Sequence, residues 1–451
     1  MSPPPSTGRD LLTPGVNWNR SGGGHGTLRP GHTAQRDRLE MSSIQVIEDG
    51  DSLLAKRVVT SPSSGAIAEI MAQTEAGSVI TFSGGFPNPD IFPATVVAKL
   101  TSQLLVEDPR VAMQYSPTEG LTSVRDVIAQ WLSGRGEIPA STDELMITSG
   151  GMDAIGLLAK SYLDPGDAVI VEAPTYLGAI MSFESYQANV MGVPIDDDGI
   201  DVDAMADLLA SGVRPKLLYT IPDSQNPTGC SMSVEKRYAL AELCRRYGVL
   251  VVEDVAYREL GFSDSRAPSL RSLAPDTVVQ IGTFSKIFFP GVRLGWASGP
   301  GAVFDAMVGA KQVADQCAGS LGQRLVEEYI RGGHMDLWLP DARRFYERRS
   351  QAMMDVLELT MPEGTKWTRP TGGFFTWLTV PEGIDTTALS ARAVSTGISY
   401  VPGQFFYPNG ERKHEIRLSF SCVDESDIDQ GIGRLATLFT QAQSAINQKE
   451  N

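Results

Sequence analysis

The sequence predicts an α/β fold: a large domain built on a mostly parallel sheet, followed by a smaller α+β domain. Three observations predict it. From residue 120 onward, apolar runs rich in β-branched residues alternate with stretches of helical period, the pattern of strands joined by helical crossovers. Each run ends in polar residues, and open α/β sheets bind their ligands at the carboxyl ends of strands. After Arg324 the pattern changes to long helices and a few short strands, as expected of a separate lobe.

Residues 1–42 are rich in Pro, Gly, Ser, Thr and Arg, with Pro3-Pro4-Pro5 and Gly22-Gly23-Gly24, and are expected to be a disordered tail. Residues 43–90 are expected to form an amino-terminal arm and part of the smaller domain, 91–325 the large domain, 326–447 the smaller domain and 448–451 a short tail. Within the large domain, Leu145-Met146-Ile147 leads into Thr148-Ser149-Gly150-Gly151 and a helix from about Met152 to Leu163. Four further strands follow: Ala168–Val171, Lys216–Ile221, Val249–Val252 and Val278–Ile281. Beyond Arg324 the helical segments include Val326–Tyr329 and Ala342–Leu357. Strands at Gly373–Leu378 and Glu415–Phe420 and a closing helix from about Glu425 to Asn447 complete the chain.

Composition narrows the function. A formal charge of −16 argues against binding to nucleic acid or to an anionic membrane, both of which need a basic face. The four cysteines, Cys230, Cys244, Cys317 and Cys422, lie far apart with no CxxC pair and only four histidines, so neither a disulfide framework nor a metal site is expected. No apolar run reaches the roughly 20 residues that span a bilayer, and the opening residues lack an apolar signal core. The expectation is a cytoplasmic protein.

The chemistry concentrates in Thr283 to Trp296, where a lysine, two hydroxyls and an arginine follow an apolar run. A lysine at the end of a buried strand loses hydration, which lowers its pKa and makes it a nucleophile toward carbonyls. Thr283 and Ser285 can donate to phosphate oxygens, and Arg293 offers a planar fork to the same dianion. Alone, that stretch fits a surface loop equally well. The other loops at strand ends are Ser149-Gly150-Gly151, Pro174-Thr175-Tyr176, Asp223 to Gly229 with Asn226-Pro227-Thr228-Gly229, and Glu253 to Tyr257. All could converge on one crevice. Ser149-Gly150-Gly151-Met152 opens a helix, whose unpaired N–H groups and dipole attract phosphate.

Taken together and in this order, from roughly Ser61 to the carboxyl end, these segments resemble the fold type I aminotransferases that use pyridoxal phosphate. The resemblance is to the class I/II branch that includes 2-aminoadipate and kynurenine aminotransferases. It implies a seven-stranded, mostly parallel sheet in the large domain and a homodimer with active sites at the subunit interface. Lys286 matches the Schiff-base lysine, which forms an aldimine with the cofactor and later moves a proton between the substrate Cα and the cofactor. Asp254 matches the partner of the pyridine nitrogen. Tyr257 and Asn226 match contacts to the phenolic oxygen, and Tyr176 the ring that stacks on the pyridine. Ser149, Gly150, Gly151, Met152, Thr283, Ser285 and Arg293 stand where the family holds the phosphate. Tyr115 resembles the tyrosine that reaches the phosphate, and the substrate, of the neighbouring subunit. Arg417 matches the arginine that grips the substrate α-carboxylate, its competitor being an ion pair with Glu415. Gly84 and Gly85 fit the segment that closes over substrate.

The chain departs from the family in three places. It reads Glu253-Asp254-Val255-Ala256-Tyr257 where Glu-Asp-Asp-Pro-Tyr is common, and Gly151-Met152 where serine and glutamine are common. It has Ile67-Ala68-Glu69-Ile70 where acidic-substrate members often place an arginine. Alanine cannot pair with a distal carboxylate. The expectation is therefore an aminotransferase acting through two half-reactions on a neutral, aliphatic or aromatic amino acid, with a 2-oxo acid, 2-oxoglutarate, as acceptor. A β-lyase, decarboxylase or oxidase on the same scaffold is the alternative. A non-catalytic sensor domain is more remote, because a Gly-rich tail cannot supply a winged helix.

Overall fold

The computed structural model describes residues 79–137 and 142–450. Ile67-Ala68-Glu69-Ile70, the tail and most of the arm lie outside the described residues. Strand β1, Ile80–Thr81, pairs in parallel with residues 398–399, far along the chain. The large sheet comprises β2 (Leu145–Thr148), β3 (Ala168–Ala173), β4 (Asn189–Asp196), β5 (Gly199–Ile200), β6 (Leu217–Thr220), β7 (Leu250–Asp254), β8 (Val278–Thr283) and β9 (Gly295–Ser298). Its order is β2-β9-β8-β7-β6-β3-β4-β5, with only β5 and β9 antiparallel to their neighbours. The sheet thus has eight strands where seven were expected. The extra one, β5, is two residues long, too short to leave a period in the sequence.

The sheet is buried on both faces, and strand alternation sorts its side chains. Val169, Val171, Leu217, Tyr219, Val252, Val279 and Ile281 face one side, packing with helices Gly151–Tyr162, Leu177–Ser185 and Gly301–Gln312. Ile170, Leu218, Val251 and Val278 face the other, packing with helices Val202–Ala210, Val234–Tyr247 and Leu270–Leu273. Each fully buried aliphatic side chain contributes about 1.5–3 kcal/mol, which makes register costly to shift.

The second sheet joins β10 (Lys366–Trp367), β11 (Phe375–Thr379), β13 (Val401–Pro402) and β14 (Glu415–Ser419), while β12 (Ile398–Ser399) pairs with β1. Ser419 N–H donates to Phe82 C=O at 2.9 Å, so the segment after β1 lies against β14. Two expected boundaries move. The division after residue 325 falls inside helix Ser320–Arg331, where Leu325, Val326 and Tyr329 are all buried in one cluster. The closing helix, Glu425–Glu450, runs through the residues expected to be a tail from 448.

Candidate active site

Six of the eight large-sheet strands run the same way, so their carboxyl ends form one rim. β9 runs against them, which brings its start, and Arg293 just before it, to the same rim: Gly295 pairs with both Thr148 and Thr283. Against this rim lies a cavity of about 300 Å³. Of the residues singled out in the sequence, Gly85, Gly151, Met152, Tyr176, Asn226, Asp254, Tyr257, Thr283, Ser285, Lys286, Arg293 and Arg417 line it.

Lys286 sits one turn beyond β8, its Nζ donating to Gly85 C=O at 2.8 Å. Nζ lies 6.0 Å from the Tyr257 ring centre and 5.9 Å from that of Phe374. Burial, with Arg417 adding like-charge repulsion, lowers its amine to about 8. Such an amine is neutral in about one molecule in ten at pH 7, far more often than an ordinary lysine, and the neutral form can attack a carbonyl.

Asp254 ends β7 and is buried. Its Oδ2 accepts from the Tyr219 hydroxyl at 2.7 Å and its Oδ1 from Ala256 N–H at 3.0 Å. Desolvation raises its pKa, against the pull of those two donors. No ion pair forms to Asp254 among the described residues. A buried carboxylate without a cation is costly, and it fits a ring nitrogen that carries a proton.

Asn226 and Arg417 meet: Arg417 Nη1 donates to Asn226 Oδ1 at 3.0 Å and Nη2 to Ser83 C=O at 2.7 Å. Arg417 Nε is buried with no hydrogen-bond partner. Its guanidinium lies 4.3 Å from the Phe375 ring centre, and burial brings its pKa down to about 10. The competing pair with Glu415 does not form; Glu415 Oε2 instead accepts from the Tyr407 hydroxyl at 2.6 Å. A buried, incompletely satisfied guanidinium beside a cavity has the chemistry to receive a carboxylate.

Thr283, Ser285 and Arg293 gather at the start of helix Gly151–Tyr162. The Thr283 hydroxyl donates to Ser285 Oγ at 3.0 Å, and Arg293 Nη2 to Ser149 C=O at 3.2 Å. Gly150 has φ of +102°, and a β-carbon there would stand 2.8 Å from Arg293 Nη2. Backbone N–H groups at the helix start, two hydroxyls and a guanidinium thus gather at this end of the cavity, the donor set of a phosphate site.

Four singled-out residues stand off the cavity wall. Ser149 donates its hydroxyl to Asp315 Oδ2 at 2.6 Å, so that side chain is turned away from the expected phosphate contact. Gly150 supports Arg293 from behind, Gly84 precedes the lining Gly85, and Tyr115 is 77% exposed on this chain's surface. Other lining residues carried no sequence signal of their own: Phe86, Ile155, Leu177, Ile221, Pro290 and Phe375. Tyr219 was missed because its contact with Asp254 depends on strand order. It pairs with Val252, two residues before Asp254 on the same sheet face.

A lowered lysine amine, an unpaired buried carboxylate, an aromatic wall and a phosphate cradle fit pyridoxal phosphate, and they define an enzyme that uses it. The family model for aminotransferase class I and II matches residues 78–435, and the chain belongs to that family. It is 38% identical to aromatic-amino-acid aminotransferase 1 of Thermococcus litoralis over 82% of this chain and 90% of that one. The solved multiple substrate aminotransferase of Thermococcus profundus superposes with a TM-score of 0.84 at 37% identity, over 88% of this chain and all of that one. The alpha-aminoadipate aminotransferase of Thermus thermophilus, complexed with N-(5'-phosphopyridoxyl)-L-leucine, has a TM-score of 0.79 at 34% identity, over 87% of this chain and all of that one. The protein is a pyridoxal-phosphate-dependent aminotransferase of α/β fold type I.

Proposed function

We propose that this aminotransferase takes a neutral, aliphatic or aromatic α-amino acid as donor and a 2-oxo acid as acceptor, 2-oxoglutarate by family resemblance, in two successive half-reactions. One observation carries the donor class. Among the described residues three cations line the cavity, Lys286, Arg293 and Arg417, and each has a task there, while the remaining wall includes Phe86, Met152, Ile155, Leu177, Ile221 and Phe375. A distal carboxylate on the donor would meet apolar surface. The name of the Thermococcus litoralis relative and the leucine adduct in the Thermus thermophilus structure support the same class. A donor panel tests it: leucine, phenylalanine or tryptophan should give the highest kcat/KM, and 2-aminoadipate outrunning all three would refute it.

Bound in this cavity, the cofactor supplies an electron-accepting ring for the carbanion formed at the substrate Cα. The protein residues do the rest. Lys286 would hold the cofactor, and its amine is the base that would move the proton at the substrate Cα. Asp254 would hold the ring nitrogen in its protonated form. Asn226 and Tyr257 stand where they would hold the phenolic oxygen, and Tyr176 the ring face. Main-chain N–H groups of Gly151 and Met152, with Thr283, Ser285 and Arg293, would hold the phosphate. Arg417 orients the substrate by its α-carboxylate, which fixes the Cα–H bond for removal. Gly84 and Gly85 would flex as substrate enters.

A homodimer in the cytoplasm completes the proposal. Tyr115 would reach the partner's phosphate and substrate. The exposed apolar side chains of Leu105, Val106, Met113 and Val313 support a face covered by a second copy. The two lobes would divide between the eight-stranded and four-stranded sheets.

A further inference from the structure

We infer that Tyr219 is a positioning residue for the aminotransferase reaction: its hydroxyl holds Asp254 in the ionised form and orientation that the ring nitrogen needs. The inference rests on the role proposed for Asp254. Tyr219 is fully buried in the middle of β6, an unusual place for a phenol amid aliphatic side chains. Its ring packs edge-on against Phe183 at 6.0 Å, and its hydroxyl gives its hydrogen to Asp254 Oδ2 at 2.7 Å. Phenylalanine would fill the same volume, so packing alone does not call for the oxygen.

The second Asp254 oxygen is held by the Ala256 N–H, which is fixed in the chain turn after β7. Each carboxylate oxygen therefore has one protein donor, leaving the outward lone pairs for the cavity. Without the phenol, Oδ2 stays buried and short of a partner, and the carboxyl group is pushed toward its neutral form. A neutral carboxyl cannot hold a positive ring nitrogen. The groups facing this pair are Glu172, Tyr176 and Lys286; Glu172 is tied to Thr220, Ile221 and Gln225 and does not bond Asp254.

The test is Tyr219→Phe in the full-length holoenzyme, with Asp254→Asn alongside. In Tyr219→Phe, kcat should fall roughly tenfold, the factor that one pKa unit of carboxyl shift represents, with KM for the donor changed less than about twofold. The pH midpoint of the bound cofactor's visible absorption should move upward, because less positive charge then stands on its ring. Cofactor loss on dialysis should quicken, while the melting temperature of the holoenzyme stays close to that of the unaltered protein. A kcat and an absorption midpoint both unchanged in Tyr219→Phe, with Asp254→Asn severely impaired, would overturn the role of Tyr219 and leave that of Asp254. If Asp254→Asn also left both unchanged, the role of Asp254 itself would fall, and the inference with it.

Discussion

Lys286 meets two opposed demands: its ammonium form suits water, yet its chemistry needs the free amine. The cavity settles this by withdrawing solvent and setting Arg417 near enough to repel a second positive charge, while Asp254 pulls partly the other way. The amine comes to about 8, against an ordinary 10.5. A depressed base is neutral above its lowered pKa, so reactivity should rise through pH 8 and level off well before 10.5. Capture of pyridoxal phosphate by cofactor-stripped protein, trapped with borohydride, should show a rate midpoint near pH 8. A midpoint near that of an exposed lysine would mean that the amine is not held as described.

At the scale of elements, the strand-to-helix turn at Ser149–Gly151 shows what a sequence conveys and what it hides. Glycine at a strand end before a helix was legible, and Gly150 indeed adopts φ of +102° and ψ of 174°, a region open almost only to glycine. Gly150→Ala should lower stability by about 1–3 kcal/mol and displace Arg293. Cofactor retention on dialysis should then fall more than tenfold, far more than any loss of helix content by circular dichroism. The convergence of five loops was legible because each strand run ended in polar residues and parallel strands share one rim. Arg417 was legible through the family resemblance; the structure places it opposite Trp377 and Val401 in the four-stranded sheet. The Ser149 hydroxyl was not, because its partner Asp315 lies 166 residues away. Tyr219 was hidden for the same reason in another form: its function depends on β6 lying beside β7, and neighbourhood in a sheet is a property of topology rather than of local spacing.

On the scale of the whole molecule, an eight-stranded sheet has two margins, each a row of backbone groups that could recruit another chain. At one margin Ile147 N–H is already taken by Glu119 C=O at 2.8 Å. At the other, β4 pairs, among the described residues, with the two residues of β5 at its outer edge, and the end of β4 and the turn after it carry Asp196, Asp197 and Asp198. Lys236 binds Asp196 at 2.5 Å and Asp198 at 2.7 Å, leaving the turn net negative. These pairs are exposed enough to add little to stability, on the order of 0.5 kcal/mol. Their consequence is colloidal: a second molecule approaching this margin strand to strand meets a like-charged turn before any hydrogen bond can form. Replacing the three aspartates together with asparagine should leave turnover and the circular dichroism spectrum unchanged yet raise light scattering several-fold in concentrated solution. Three side chains remote from the cavity would then govern how densely the enzyme can be packed before it ceases to be a discrete particle.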